Sequence, residues 1–139
     1  MPVFTKTLSF ETRGNNEMLN ITSQVEEIIA AGDIKEGIAT IFVPGSTASI
    51  TTIEFEPGLQ KDMPRALERV APSDATYEHD IKWGDGNGVS HVRAAIIGPG
   101  IIVPFKEKSL LLGTWQQIVL VEFDVRPRRR DVIVQVLGF

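Results

Sequence analysis

The sequence predicts an α+β fold, a mostly antiparallel β-sheet assembly with two helices. Three observations predict it. The chain contains several strand-like runs rich in Val, Ile and Thr, apolar residues recur at helical spacing in only two segments, and tight turns separate the apolar runs of the C-terminal half. A length of 139 residues suits one domain, residues 1–139.

The N-terminal part is predicted to begin with a strand and a helix. Residues 3–10 alternate between polar and apolar side chains, which is typical of a half-buried strand. A helix is expected around residues 22–31, because apolar residues recur there at helical spacing. Ser23 and Glu26 have the spacing of a capping box, and Gly32 can end the helix.

The central part is predicted to contain two strands and a second helix. Residues 37–45 and 47–55 have strong β character, and Pro44-Gly45 interrupts them. A helix is expected over residues 58–70, where apolar residues again recur at helical spacing. Pro72 closes it, because the residue before a proline disfavours helical backbone angles.

The C-terminal half is predicted to be a long loop followed by strands. The loop covers residues from about 71 to 90. The strands lie in the segments HVRAAIIG, IIVPF, WQQIVLVEF and DVIVQVLGF. Their nearly continuous Val, Ile and Leu content indicates sheets covered on both faces. Strands this apolar in so short a chain also favour an oligomer that buries them between subunits.

Composition and charge exclude several classes of protein. The formal net charge of −4 gives no general attraction to nucleic acid or to an anionic membrane. The absence of cysteine excludes disulfides, thiolate metal sites and a cysteine nucleophile. The N-terminal sequence lacks the apolar core of a signal peptide, and no apolar run approaches the roughly 18 residues that cross a bilayer. We therefore expect a soluble cytoplasmic protein with neither nucleic-acid nor membrane partners.

Both histidines of the chain lie in one glycine-rich segment, YEHDIKWGDGNGVSHV. His79 and His91 supply groups that titrate near neutrality or bind metal, and Asp80, Asp85 and Asn87 supply acceptor oxygens. Long loops in compact domains are commonly functional, which favours a site here. An ordinary turn is the other interpretation, because Asp, Asn and Gly are turn residues and the histidine spacing matches no standard zinc motif.

Three further segments each allow two interpretations. Ser46 and Thr47 can hold an anion or form a plain turn. Trp115 and Gln116 can stack on and hydrogen-bond a heteroaromatic ring, although tryptophans are more often core anchors. The arginines of residues 126–130 can bind phosphate or form a solvated strand edge.

Distinctive motifs extend over most of the chain. They are PGSTASITTIE (44–54), YEHD (77–80), DGNGVSHVRAAIIGPG (85–100), VPF (103–105) and LLGTWQQIVLVEFD (111–124). The most specific patterns are N-x-x-[AS]-H-[VIL]-[KR]-[AS], met by residues 87–94, and L-G-T-W-Q-x-I, met by residues 112–118. Together these motifs resemble the YjbQ family, whose members have been called secondary thiamine-phosphate synthases.

The resemblance implies a YjbQ-like fold, usually assembled as a homotrimer. It also implies a cleft, within one subunit or across a subunit boundary, where the histidine segment, the GTWQ strand and the Ser46–Thr47 turn converge. The implied activity is weak, secondary synthesis of thiamine phosphate. A small-molecule phosphate substrate, hydroxymethylpyrimidine diphosphate, is joined to thiazole phosphate with release of pyrophosphate. The alternatives are a non-catalytic trimeric protein that binds a phosphate ligand and an enzyme with a different main reaction.

Polar residues at the matching positions define a candidate site. The expected catalytic residues are His79, His91, Asp85 and Glu122. The expected substrate-binding residues are Ser46, Thr47, Asn87, Arg93, Thr114, Trp115, Gln116, Arg126 and Arg128. A divalent metal ion, magnesium or zinc, is a candidate cofactor, with His79 and His91 as its ligands. Many relatives carry a further histidine where this chain has Gly45.

Overall fold

The computed structural model describes all 139 residues as eight strands and four helices. The strands are β1 (Val3–Thr12), β2 (Glu17–Asn20), β3 (Glu36–Phe42), β4 (Ala48–Ile53), β5 (Gly100–Lys106), β6 (Ser109–Leu110), β7 (Gln117–Glu122) and β8 (Arg128–Gly138). The helices are α1 (Thr22–Ala31), α2 (Pro57–Val70), α3 (Glu78–Trp83) and α4 (Gly88–Ile97). None of these helices combines the length and the apolar character that crossing a membrane requires.

The strands form two antiparallel sheets. The larger sheet has the strand order β1-β8-β3-β5-β6, and the smaller sheet has the order β2-β7-β4. The longest strand pair joins the two ends of the chain, from Val3 opposite Leu137 to Thr12 opposite Arg128. The predicted α+β fold on antiparallel sheets is therefore confirmed.

The main hydrophobic core lies between the two sheets and α1. Its buried side chains include Val134 of β8, Leu120 of β7 and Ile29 of α1. A smaller core lies on the other face of β7, where Val119 packs with side chains of α2 and α4. Strand β7 is thus covered on both faces, as expected, whereas β8 alternates between buried and more exposed residues. The difference arises because no helix covers the outer face of the larger sheet.

The predicted helices at residues 22–31 and 58–70 correspond to α1 and α2, but the predicted cap of α1 is wrong. Ser23 makes no capping bond, and Asn20 Oδ1 instead accepts hydrogen bonds from the Thr22 amide (3.1 Å) and the Thr22 hydroxyl (2.7 Å). Helix α2 begins with Glu56 as its cap, whose carboxylate accepts from two backbone amides, and Pro57 occupies its first turn.

The predicted strand HVRAAIIG is wrong, because this segment lies in α4. A short apolar run fits a buried strand and a buried helix equally well. Here Val89, Arg93 and Ala94 are buried at helical spacing. The Ser49 hydroxyl donates to the Ala94 carbonyl at 3.1 Å, which fixes α4 on β4.

The number of helices also differs from the prediction. Helix α3 and the start of α4 lie inside the segment expected to be a loop, so the protein has four helices rather than two. The short strands β2 and β6 were not predicted either. All of these elements are short, and tertiary contacts rather than periodicity determine them.

Candidate active site

The turn between α3 and α4 brings the two histidines together. His79 lies in α3 and His91 in α4, and their ring centroids are 4.6 Å apart with an interplanar angle of 57°. Gly84 ends α3 in the left-handed conformation, with φ of 70°. Asp80 Oδ1 accepts a hydrogen bond of 2.8 Å from the Gly88 amide at the start of α4. The short turn between α3 and α4 therefore places the two imidazoles in contact.

Close packing of the turn depends on Gly88. A Cβ atom at this position would lie 2.5 Å from Tyr77 Cβ, which is closer than side chains approach one another. The Tyr77 hydroxyl is fixed in turn, because it donates to the Pro72 carbonyl at 2.7 Å. Gly88 is thus required for the contact between the helices that carry the two imidazoles.

His79 is oriented by polar neighbours from the turn. Its Nε2 atom lies 3.1 Å from Asn87 Oδ1 and 3.9 Å from Asp85 Oδ2. In the tautomer with the hydrogen on Nε2, the ring donates to Asn87 Oδ1. When the ring is protonated, the Asp85 carboxylate forms an ion pair with it.

His91 opens onto a cleft of about 350 Å³. One wall is formed by Gly45 and Ser46 at the entrance to β4, and the other by His91 and two small residues of α4. Ser46 is exposed and His91 is partly exposed, so both side chains are accessible to a ligand. The structure thereby brings His91, Ser46 and, through its contact with His91, His79 into one region.

Thr47, the neighbour of Ser46, faces away from this cleft. It is buried, its hydroxyl donates to Asp124 Oδ2 at 3.1 Å, and it accepts a bond of 2.6 Å from Arg130 Nη2. Alternation along the chain entering β4 accounts for the difference, since successive residues point to opposite faces.

Thr47 belongs to a buried network of two acids and two arginines. Arg130 donates from Nε and Nη2 to the two carboxylate oxygens of Glu122, at 2.7 and 2.6 Å. Arg128 donates from Nε to Asp124 at 2.9 Å. Both carboxylates are fully buried, so each needs its arginine partner to offset the loss of hydration.

The Asp124 carboxyl shows the balance of these effects. Burial alone would raise its pKa, but hydrogen bonds from Arg128, Thr47 and the Val125 amide outweigh burial and leave the pKa below its ordinary value. Glu122 has all its partners within the protein, because the Thr12 hydroxyl and the Asp124 amide also donate to it. Glu122 therefore does not face the cleft.

Arg93 occupies a structural position. Its side chain is buried, and it donates to the Ala71 carbonyl, to Asn16 Oδ1 and to Glu68 Oε2 at distances from 2.7 to 3.1 Å. The pKa of Glu68 lies below its ordinary value because the Ser73 amide and hydroxyl, and then Arg93, donate to it. Arg93 thus joins α4 to the end of α2. Arg126, another expected substrate-binding residue, is exposed and forms no ion pair.

Trp115 lies outside the histidine cleft. It lines a separate depression of about 410 Å³ together with Thr114 and residues that follow β4. Gln116 lies beside it and donates to Thr52 Oγ1 at 3.0 Å. Strands β4 and β7 pair with Ala48 opposite Glu122 and Ile53 opposite Gln117, so the cleft and Trp115 lie at opposite ends of β4. Five residues of strand separate them by at least roughly 17 Å. Within one chain, Trp115 therefore does not converge with the imidazoles.

The two imidazoles have no third ligand beside them with which to hold zinc. No group of three or more His, Asp or Glu side chains is arranged to hold a metal ion, whereas zinc sites use at least three protein ligands. A Cβ atom at Gly45 would lie 2.8 Å from Arg130 Nη1, so the guanidinium occupies the space that a side chain at this position would enter. The residues of one chain therefore do not fit a zinc centre at His79 and His91.

A larger groove of about 630 Å³ lies between β1 and α1. Its lining is mainly apolar, with Phe4, Leu8 and Ile28 among the residues, and none of the candidate site residues contributes to it. Ligand sites combine apolar walls with a few convergent polar groups. The groove also contains the polar side chains of Lys6, Gln24, Glu27 and Asp33, but neither histidine lines it.

Arg130 belongs to the basic cluster of residues 126–130 but not to the expected site residues, which include only Arg126 and Arg128 of this cluster. Arg130 is nevertheless the arginine with two hydrogen bonds to the buried carboxylate of Glu122. A signal was present: Val132 and Val134 are core residues of β8, and alternation continues their face back to Arg130.

Comparisons with known proteins agree with this fold. A family model described as UPF0047 protein YjbQ-like matches residues 6–139. The UPF0047 protein of Archaeoglobus fulgidus is 35% identical over 130 residues, covering 94% of this chain and 98% of the relative. The UPF0047 protein YugU of Bacillus subtilis is 36% identical over 135 residues, covering 96% of this chain and 98% of YugU.

Solved structures show the same relationship. A YbjQ-like protein of unknown function from Sulfolobus solfataricus P2 matches with a TM-score of 0.89 and 32% identity, covering 99% of this chain and 100% of that protein. A hypothetical protein from Aeropyrum pernix K1 matches with a TM-score of 0.84 and 30% identity, covering 96% of this chain and 99% of that one. In sequence and in fold, the chain belongs to the YjbQ-like UPF0047 family.

Proposed function

We propose that this protein is a weak thiamine-phosphate synthase, which joins hydroxymethylpyrimidine diphosphate to thiazole phosphate and releases pyrophosphate beside His91. The family motifs support this reaction. The observation that carries the proposal is the contact between two imidazoles, 4.6 Å apart, at a cleft that also presents the Ser46 hydroxyl. Hydrogen-bond donors at such a cleft suit a phosphate-bearing substrate.

The reaction requires a site that stabilises a departing polyanion. The bond between the pyrimidine methylene carbon and the diphosphate oxygen breaks, and its electron pair leaves with pyrophosphate. The lone pair of the thiazole nitrogen forms the new carbon–nitrogen bond, which leaves the positive charge on the thiazolium ring. Negative charge therefore grows on the leaving group, and fixed donors aimed at it lower the barrier.

The cleft residues have distinct roles in this mechanism. His91 donates a hydrogen bond or a proton to the leaving pyrophosphate, and the Ser46 hydroxyl donates a second hydrogen bond. His79 contacts His91 and is itself oriented by Asn87 Oδ1 at 3.1 Å, so it positions the His91 ring. Asp85 balances the charge when His79 is protonated.

We also propose a homotrimer. The larger sheet aligns Val3, Leu137, Ile38 and Pro104 in one cross-strand row, and Ile102 on the same sheet is 64% exposed. The first row is wholly apolar, whereas Ile102 shares the next row with the polar residues Thr5, Gln135 and Thr40. An exposed apolar row of this kind suits a protein interface. In a cyclic trimer this surface of one subunit would contact a different surface of its neighbour.

A homotrimer would also supply the pyrimidine contact that one subunit lacks. Trp115 is 71% exposed, which is unusual for so large an aromatic side chain, and it lies apart from the cleft of its own subunit. In the proposed assembly, Trp115 of a neighbouring subunit stacks on the pyrimidine, while Thr114 and Gln116 bind its polar edge. Arg126 and Arg128 contribute positive charge near the thiazole phosphate.

The test is thiamine phosphate formation by the wild type and by His91→Ala and His91→Asn, measured with and without magnesium. We expect both variants to lose roughly 100-fold or more in rate, because a positioned acid or donor contributes about that much. Val92→Ala is the matched control, since Val92 is the next residue of the same helix and does not line the cleft. A folded His91→Ala variant with the wild-type rate would refute the role of this residue.

One observation favours a second function, the binding of a phosphate ligand without turnover. The cleft of one subunit contains donors for an anion but no Phe, Tyr or Trp side chain to stack on a pyrimidine. If the wild type binds pyrophosphate but forms no thiamine phosphate at any protein concentration, the binding function replaces the synthase.

A further inference from the structure

We propose that Arg130 is an anion-binding residue of the histidine cleft, where its Nη1 amino group meets a phosphate or diphosphate group through the gap left by Gly45. The inference deepens the proposed function and depends on it for the class of ligand. Arg130 already has a structural role, because it pairs with Glu122 in the buried network. The proposal adds a binding role to it.

The guanidinium of Arg130 has one unused donor group. Nε and Nη2 bind the carboxylate of Glu122, and Nη2 also donates to Thr47 Oγ1. Nη1 makes no hydrogen bond within the protein. The one fully buried side-chain polar atom without a hydrogen-bond partner is Ser90 Oγ. Since Nη1 also lacks a partner, it is not fully buried and remains in contact with water. The Arg130 side chain is only 11% exposed, so this small accessible part contains its free donor.

Gly45 determines what covers this donor. A Cβ atom at Gly45 would lie 2.8 Å from Arg130 Nη1 and 3.7 Å from Cζ, so any side chain here would press on the guanidinium. Gly45 itself lines the cleft, next to Ser46 and opposite His91. Arg130 does not itself line the cleft, so an anion bound beside His91 would reach Nη1 across Gly45, where no side chain intervenes.

The surrounding network prepares Arg130 for this role. Two bonds to Glu122 fix the plane of the guanidinium before any ligand arrives, so binding an anion orders little further side-chain motion. Glu122 and Thr47 are positioning residues in this view, since they hold Arg130 without touching the ligand. A planar guanidinium with free N–H groups suits phosphate oxygens, and Ser46 and His91 add donors on the same cleft.

A purely structural Arg130 would make a different prediction. If the guanidinium only neutralises Glu122, then Arg130→Lys leaves ligand affinity unchanged, even if a methyl group at Gly45 narrows the cleft. If Nη1 also binds an anion, the same methyl group displaces or covers the donor. Arg130→Lys therefore distinguishes these cases. Gly45→Ala adds a test that removes no group of the buried network, and the backbone of Gly45 has no positive φ that would disfavour alanine.

The experiment is calorimetric titration of the full-length protein with inorganic pyrophosphate and, separately, inorganic phosphate. The variants are Gly45→Ala, Arg130→Lys and Arg129→Lys, each first shown to be folded by circular dichroism. Arg129 is the matched control, because it lies next to Arg130 in β8 but is exposed. Its side chain donates to Ser9 rather than to the buried network. Stronger binding of pyrophosphate than of phosphate would identify a diphosphate as the ligand, and the reverse would identify a monophosphate.

We expect the wild type and Arg129→Lys to bind alike, and Gly45→Ala and Arg130→Lys to bind roughly 10- to 100-fold more weakly, since a hydrogen bond to a charged group has about that effect. If Arg130→Lys does not fold, Gly45→Ala decides. The proposal is overturned if the wild type binds neither anion, or if folded Arg130→Lys or folded Gly45→Ala binds as tightly as the wild type.

Parallel assays separate this inference from the synthase proposal. Pyrophosphate binding that is weakened by Gly45→Ala, without thiamine phosphate formation, would leave the Arg130 site in place and remove the synthase. Thiamine phosphate formation with unchanged binding in Gly45→Ala would support the synthase and remove the Arg130 site.

Discussion

Glu122→Gln tests the buried network that holds Arg130. The carboxylate of Glu122 accepts four hydrogen bonds, two at each oxygen. Glutamine has the same shape, but its amide nitrogen replaces one oxygen. In either orientation of the amide, one bond from Arg130 and one bond from Thr12 or the Asp124 amide are lost. Arg130 is also left without a full counter-charge in a site that is almost closed to water.

Removing one partner of a buried ion pair costs about 3 to 5 kcal/mol, and no cavity adds to this value because the side chain keeps its volume. Urea unfolding at fixed protein concentration, followed by circular dichroism, measures the change in the free energy of unfolding. Glu26→Gln is the matched control, since Glu26 is exposed on α1, and it should change stability by less than about 0.5 kcal/mol. A loss below about 1 kcal/mol for Glu122→Gln would refute the account of this network.

Three further predictions follow from the fold. Asp124 has a folded-state pKa below its unfolded value of about 4, so its ionised carboxylate stabilises the fold above that pH. This stability is lost as the pH falls through the folded pKa. In urea titrations between pH 7 and pH 3, Asp124→Asn should therefore show a smaller decrease in the free energy of unfolding than the wild type. Gly88→Ala would place a Cβ atom 2.5 Å from Tyr77 Cβ, so we expect a loss of about 1 to 3 kcal/mol and altered imidazole resonances, and an unchanged spectrum would contradict the packing. Ile102→Asp should lower the mass measured by light scattering from that of a trimer to that of a monomer with its circular dichroism retained, and an unchanged mass would exclude this sheet face as the interface.

The strongly periodic elements of the fold were predictable from sequence. Helices α1 and α2 follow from apolar residues at helical spacing, and β1 and β8 from strand-like runs. Helix α4 was not predictable in this way, because HVRAAIIG is short and apolar enough to suit either a strand or a helix. Its contact with β4 through Ser49 and Ala94 decides the outcome, and that contact is invisible in a local window.

The candidate site was predictable in part. The adjacent histidine motifs indicated that His79 and His91 act together, and they do contact one another. The sequence could not show that Trp115 lies away from the histidines. Its position at the start of β7 depends on the register of β4 against β7, which only the three-dimensional structure gives. The inward direction of Arg130 follows from alternation along β8, but its pairing with Glu122 required the three-dimensional structure.

The most direct test of the account is nuclear magnetic resonance of the imidazole groups during a titration with pyrophosphate. The chain has two histidines, so both rings can be assigned with single His79→Asn and His91→Asn variants. The account predicts that pyrophosphate shifts the His91 resonances first and most strongly, and that the shift saturates. Resonances of both rings that stay unchanged at millimolar pyrophosphate, while the protein remains folded, would contradict it.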